Sequence, residues 1–161
     1  MSQNFDALTA HGKSISGLTP ALELYLKEMA GAMVPHLPKI TDAFYVHLLT
    51  LPATSEFLKN HAERLDYLKK THLDWLTSLF TQTIDANFTE KMVKVGDAHI
   101  GVQLPLEYMV GAMYLINKDM IPVIMEEFGN DKDQCMQALQ AVNAVFGFNL
   151  VIMQQSYKLW D

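Results

Sequence analysis

The sequence predicts an all-α domain, and three observations carry that prediction. Apolar residues recur at three- and four-residue spacing from Thr19 to the end of the chain. No stretch alternates polar and apolar residues as a half-buried strand would, and prolines and capping residues divide the chain into segments of helical length. With 161 residues, half of them hydrophobic, the chain has the size of one domain and can bury both a sizeable core and a flat apolar cofactor.

Residues 1–18 lie ahead of this pattern and read as an N-terminal extension to a domain spanning 19–161. Thr19 followed by Pro20 supplies a cap and a proline at the first helical position, and Leu22, Leu24, Tyr25, Met29 and Met33 form an apolar stripe before Pro35 and Pro38 interrupt. A shorter pattern through Ile40, Phe44, Tyr45, Leu48 and Leu49 stops at Pro52, because proline disfavours helical geometry in the residue before it. A brief turn is expected around Ser55 to Leu58. From about His61 to Phe80, Leu65, Leu68, His72, Trp75, Leu76 and Phe80 recur at helical intervals, and Asn87 or Thr89 begins the segment that ends in His99. Pro105 opens the next helix, which runs through Tyr108, Ala112, Leu115 and Ile116 to Gly129 with a kink expected at Pro122. Asn130-Asp131 caps the last helix, which holds Met136, Leu139, Val142, Phe146, Leu150, Met153 and Tyr157. It is expected to run to Asp161 without a stop signal, as a segment cut from a longer protein would.

The formal charge of −6 and the lack of a Lys/Arg cluster argue against nucleic acid, since phosphate binding needs a basic surface. Cys135 is the single cysteine, which excludes an internal disulfide and a thiolate cluster and suits a reducing cytoplasm. The N-terminus, Met1 to Asp6, lacks a basic region followed by an apolar core, and no later run reads as long and uncharged enough to span a bilayer. A cytoplasmic chain with no membrane association is therefore expected. No Ser/His/Asp arrangement, glycine-rich phosphate loop or carboxylate pair suggests an enzyme active site. The ten methionines are scattered at helical spacing and read as core, where methionine fills irregular gaps.

The chemistry-bearing candidate is His99. The stretch from Lys94 to Ala112 places this histidine near the end of one helical segment and starts another just past Pro105. A helix packed under a porphyrin can aim one imidazole nitrogen at iron while a hydrogen bond holds the other. The competing reading is a surface histidine that complements the helix dipole. His72 lies four residues after Leu68, on the same helical face, and a second imidazole near the iron would give a six-coordinate haem. His61 and His72 are separated by nearly whole helical turns, but no third ligand falls nearby to complete a separate metal site.

The run from Val95 to Ala112 resembles the proximal segment of globin-coupled sensors, bacterial haem proteins in which a globin domain regulates a signalling output. Asp42-Ala43-Phe44-Tyr45-Val46-His47-Leu48-Leu49, with Pro52 and Ser55-Glu56-Phe57-Leu58 after it, resembles the family's B helix with its distal tyrosine in a Phe-Tyr pair. Arg64-Leu65 with Leu68 resembles the start of the E helix, so the resemblance runs from about residue 20 onward. The chain departs from the family at Gly101, where an arginine is common, and at Gln103, where a glycine is.

The resemblance implies a globin-like three-over-three helical sandwich without a proper D helix, holding one b-type haem through His99. Tyr45 would be the distal hydrogen-bond donor to oxygen, and carbon monoxide and nitric oxide would also bind. Leu65 and Leu68 would keep water from the iron, Phe44, Val95 and Met113 would line the pocket, and His72 is the alternative second ligand. The implied partners are the gas and a second copy of the chain, docked through the last two helices. Met136, Val142, Phe146, Phe148 and Val151 span more than one face of the last helix and favour such a homodimer. An output domain such as a diguanylate cyclase is expected after residue 161. Two rivals stay open: a stand-alone oxygen-binding or detoxifying globin, and a helical signalling module without haem.

Overall fold

The computed structural model describes residues 3–160, and every regular element among them is helical. In chain order these are α1 (Phe5–Ser16), α2 (Pro20–Met33), α3 (Leu37–Leu48), α4 (Pro52–Asn60), α5 (Leu65–Thr81), α6 (Ala86–Gly101), α7 (Leu106–Phe128) and α8 (Lys132–Met153). Short 3-10 turns, Val34–His36 and Ala62–Arg64, lead into α3 and α5, and a 3-10 run, Gln154–Trp160, follows α8.

The stretch before Thr19 contains an element that hydrophobic spacing does not reveal. Asn4 caps α1 by accepting from the Ala7 N–H, and Gly17 ends it in the left-handed conformation, at φ 73°. α1 packs against α6 and α8. Its buried residues are Thr9 and Gly12, not large apolar side chains: the Thr9 hydroxyl bonds that of Thr89 on α6. A Cβ on Gly12 would stand 3.0 Å from Phe148 and Ile152 of α8, so the close approach needs glycine.

Thr19 caps α2 as expected, its hydroxyl accepting from the Leu22 N–H. Within the stripe predicted for α2, Leu24 faces solvent, and Leu26 is buried instead with Met29 and Met33. α3 and α4 occupy the segments that Pro35, Pro38 and Pro52 delimit, since a proline is tolerated in the first turn of a helix but not in its interior. α6 starts earlier than Asn87 or Thr89: the Asp85 carboxylate accepts from the Phe88 N–H at 3.0 Å and caps it. α7 continues helically through Pro122.

α8 is the hub of the fold, packed by α1, α2, α6 and α7. This arrangement corrects two expectations. Val142, Phe146 and Phe148 are buried within the chain itself and Val151 is half-buried, so of the five residues taken to favour a dimer only Met136 is exposed. The helix is apolar on several faces because it has several neighbours inside the domain. The second correction concerns length and hydropathy. The segment Lys132–Lys158 is long and apolar enough to cross a membrane by composition, contrary to the sequence reading, but over half of its most apolar window is buried inside the domain. The helix also stops at Met153, passing into the 3-10 run instead of continuing to Asp161, which lies outside the described residues.

Candidate functional site

α5 packs on α2 and α3, α6 packs on α1, α8 and the 3-10 run after it, and α5 and α6 make no comparable packing with each other. The predicted site residues divide between these two groups of helices. On α6, the His99 Nδ1 stands 2.7 Å from the Val95 carbonyl one turn earlier. A carbonyl only accepts, so Nδ1 carries the proton and Nε2 keeps a lone pair. The ring is half-buried, and Nε2 has no protein partner among the described residues. Val95 therefore orients the histidine through its backbone, and its half-buried side chain packs on the core.

The other side is built by α3 and α5. Tyr45 is buried, and its hydroxyl has no hydrogen-bond partner among the described residues; burial pushes the phenol up to about 12, so it keeps its proton and stays a donor. Phe44 stacks on the His72 ring with centroids 4.7 Å apart, and Tyr45 meets the same ring edge-on at 5.7 Å. The His72 Nδ1 lies 3.0 Å from the Thr41 hydroxyl, while its Nε2 is sealed from solvent without a partner. Desolvation pulls this imidazole down to about 4, and it is neutral at physiological pH. Leu65 and Leu68 stand seven and four residues before His72 on the same face of α5, both half-buried.

Three of the predicted residues, Phe44, Tyr45 and His72, are thus in direct contact. Met113 is buried on α7 and lines a small cleft with Phe146. His61 closes α4, stacking on Phe57 at 4.4 Å, and does not belong to α5, so the helical spacing to His72 has no geometric meaning. A cleft of about 250 Å³ opens elsewhere, between the end of α3 and the start of α7, beside His47, Leu51 and Tyr108, and none of the predicted site residues line it.

The sequence reading missed the residues that hold the aromatic cluster in place. Trp75 packs edge-on against both His72, at 5.5 Å, and Phe146, at 5.8 Å, and its indole N–H donates to the Asn149 side chain at 3.1 Å. Asn149 in turn donates to the Val145 carbonyl, so a fully buried amide is satisfied at both ends. Thr41 and Asn149 carry no motif; Trp75 stood in the apolar pattern as core. After α6, the loop places Gln103 at φ 58°, the left-handed region that favours glycine, which is the residue the resembled family carries there. The Leu104 N–H bonds back to the His99 carbonyl at 3.0 Å, closing the loop.

The sequence profile of the Protoglobin family matches residues 6–159, from α1 to the 3-10 run after α8. Among solved structures, the globin domain of a Geobacter sulfurreducens globin-coupled sensor is 31% identical and superposes with a TM-score of 0.85 over 92% of this chain and 97% of that one. The globin domain of DosC from E. coli, in a ferric and a ferrous form, is 18% identical, with TM-scores of 0.76 and 0.75 over 92% of this chain and 99% of that one, a likeness of fold. The chain is a globin domain of the kind found in globin-coupled sensors, and it belongs to the Protoglobin family.

Proposed function

We propose that this domain holds one b-type haem through His99 and senses a diatomic gas, oxygen first, with Tyr45 donating a hydrogen bond to it. The observation that carries the reading is the His99 ring: its Nδ1–H is directed at the Val95 carbonyl, and its Nε2 has no protein partner among the described residues. Leu65 and Leu68 on α5 and Val95 on α6 are half-buried apolar side chains that a flat apolar group held between these helices would cover. Cys135, the single cysteine, is buried on α8, so no cysteine pair stands beside His99 to attach a porphyrin covalently. A bound haem supplies an iron with an open position for the gas. Tyr45 offers its proton there, Leu65 and Leu68 exclude water, and Phe44 and Trp75 clamp His72 to one side.

Signalling needs a contact that differs between the gas-free and gas-bound states. The chain offers a short route to one, because the Tyr157 hydroxyl donates to the Leu104 carbonyl in the loop that follows His99. Displacement of His99 would reach the 3-10 run through that bond and pass to an output domain, a diguanylate cyclase being the analogy the resemblance supplies. Tyr114, Ile121 and Met125 on α7 and Met136 on α8 are exposed apolar residues that would form a homodimer surface in the cytoplasm. The absorption spectrum of the purified protein and of His99→Ala tests the central claim. A Soret band in the parent that is lost in the variant is expected; no band in the parent overturns the haem reading, and an unchanged spectrum in the variant overturns His99 as the ligand.

A further inference from the structure

α2 packs on both α5 and α8, and those two helices make no comparable packing with each other. Trp75 reaches across from α5: its ring meets Phe146 of α8 edge-on at 5.8 Å, and its indole N–H donates to the Asn149 Oδ1 at 3.1 Å. On the α5 side the same ring stands edge-on to His72 at 5.5 Å, and His72 is in contact with Phe44 and Tyr45.

Asn149 is fully buried in the interior of α8, where asparagine is a poor helix former and an amide is costly to desolvate. Its orientation is determined at both ends. The indole N–H only donates and the Val145 carbonyl only accepts, so Oδ1 faces Trp75 and Nδ2 faces Val145 at 2.7 Å. A leucine would pack in this apolar helix without the cost of desolvation, but it would leave the indole N–H unpaired. The asparagine is explained by the tryptophan it holds, and a directional bond fixes the place of the indole more closely than apolar packing does. We infer that Asn149 and Trp75 are positioning residues that tie the aromatic cluster around Tyr45 to α8. Resting on the haem reading, this gives the Tyr45 side of the site its own route to the end of the chain. A ligand that pulls on the Tyr45 hydroxyl disturbs the His72 and Trp75 rings and, through the indole bond, the helix that leads into the 3-10 run. The Tyr157 bond to the Leu104 carbonyl serves the His99 side.

The test compares ferrous protein under oxygen and under carbon monoxide, two diamagnetic forms that differ in how strongly the gas accepts a hydrogen bond. In ¹⁵N–¹H correlation spectra the Asn149 side-chain amide, assigned by its loss in Asn149→Asp, is expected to shift between the two gases in the parent. That shift should vanish in Tyr45→Phe and in Trp75→Phe. Oxygen should leave Trp75→Phe and Asn149→Leu each roughly two- to tenfold faster than the parent, and the double variant no faster than either. Asn149→Asp should keep the parental rate, since a carboxyl held neutral by burial has the same shape, accepts from the indole and donates to the Val145 carbonyl. Packing alone would leave Asn149→Leu at the parental rate and the amide blind to the gas. An amide that is the same under both gases in the parent, a shift that survives in Trp75→Phe, or oxygen leaving Asn149→Leu at the parental rate overturns the inference. If Asn149→Leu does not fold, the shift in the parent and its loss in Trp75→Phe decide. A parent without a Soret band overturns the haem reading and this route with it, whereas a Soret band with an amide indifferent to the gas overturns the route alone.

Discussion

The Tyr157 hydroxyl donates a 2.8 Å hydrogen bond to the Leu104 carbonyl, and Leu104 bonds through its own N–H to the carbonyl of His99. The 3-10 run after α8 is fastened at two further points to the helix that carries His99. Ser156 donates to the Val93 carbonyl at 3.3 Å, and a Cβ placed on Gly96 would stand 2.4 Å from the Met153 carbonyl oxygen and 2.8 Å from the Ser156 hydroxyl. The last segment of the domain is thus seated on α6 at Val93 and Gly96, before His99, and bonded to the loop that follows it.

Gly96→Ala should break that seam, because the added methyl meets backbone that cannot turn aside. The expected cost is about 1–3 kcal/mol, typical of overpacking, with Tyr157→Phe costing roughly 1 kcal/mol through its lost bond. Thermal unfolding of the two variants measures both. If Gly96→Ala melts with the parent, the seam is loose and the route from His99 to the end of the chain is not mechanical.

His72 makes stability depend on pH in a definite direction. Its folded pKa, about 4, lies below the ordinary value of 6.5, so the unfolded chain takes up a proton that the folded one refuses. Stability is intact above pH 6.5, falls as the pH drops below it, and approaches the full loss, about 3 kcal/mol, as the pH passes below 4. Denaturant unfolding across this window should show the loss, and His72→Leu should flatten that part of the profile. Equal slopes in parent and variant would place the acid sensitivity on other groups.

Helix periodicity made α2, α3 and α5 to α8 legible because those helices bury stripes of large apolar side chains against the core, whereas around Ser55 to Leu58 it predicts only a brief turn and the chain forms the nine-residue α4. α1 escaped because it buries Thr9 and Gly12, residues that hydropathy does not mark; its signals were Asn4 before it and Gly17 after it. The surplus of apolar residues on α8 was visible, but its cause lies in four neighbours, three of them from distant parts of the chain. The site shows the same division. Resemblance supplied His99 and Tyr45 at their positions, whereas Thr41, Trp75 and Asn149 act only through partners 31 and 74 residues away, once α3, α5 and α8 have met.

Burial of Val142, Phe146 and Phe148 moves the argument for a dimer to other residues. Tyr114, Ile121 and Met125 lie seven and four residues apart along one face of α7, and Met136 on α8 is exposed as well. A lysine at Ile121 or a glutamate at Met125 should weaken self-association without changing the melting of the fold, as read by sedimentation at several concentrations. A parent that sediments as a monomer at about 100 μM, where an association of even modest affinity would be populated, removes this surface from the proposal.

Tyr45 carries the sharpest expectation about gas selectivity. Its phenol is held protonated by burial and has no protein acceptor among the described residues, so its proton is available to a ligand. Oxygen draws electron density when it binds and accepts such a bond well, while carbon monoxide accepts it poorly. Tyr45→Phe keeps the ring that packs against Phe44 and His72 and deletes only the hydroxyl. Losing one hydrogen bond to a charged acceptor costs about 1.5–3 kcal/mol, so oxygen should dissociate roughly 10- to 150-fold faster. Carbon monoxide dissociation should barely change, and that contrast separates the hydrogen bond from a cavity effect, which would shift both gases together. Stopped-flow displacement of each gas from parent and variant gives the two ratios. If oxygen leaves the variant at the parental rate, Tyr45 is a packing residue and the donor is another group on α3 or α5.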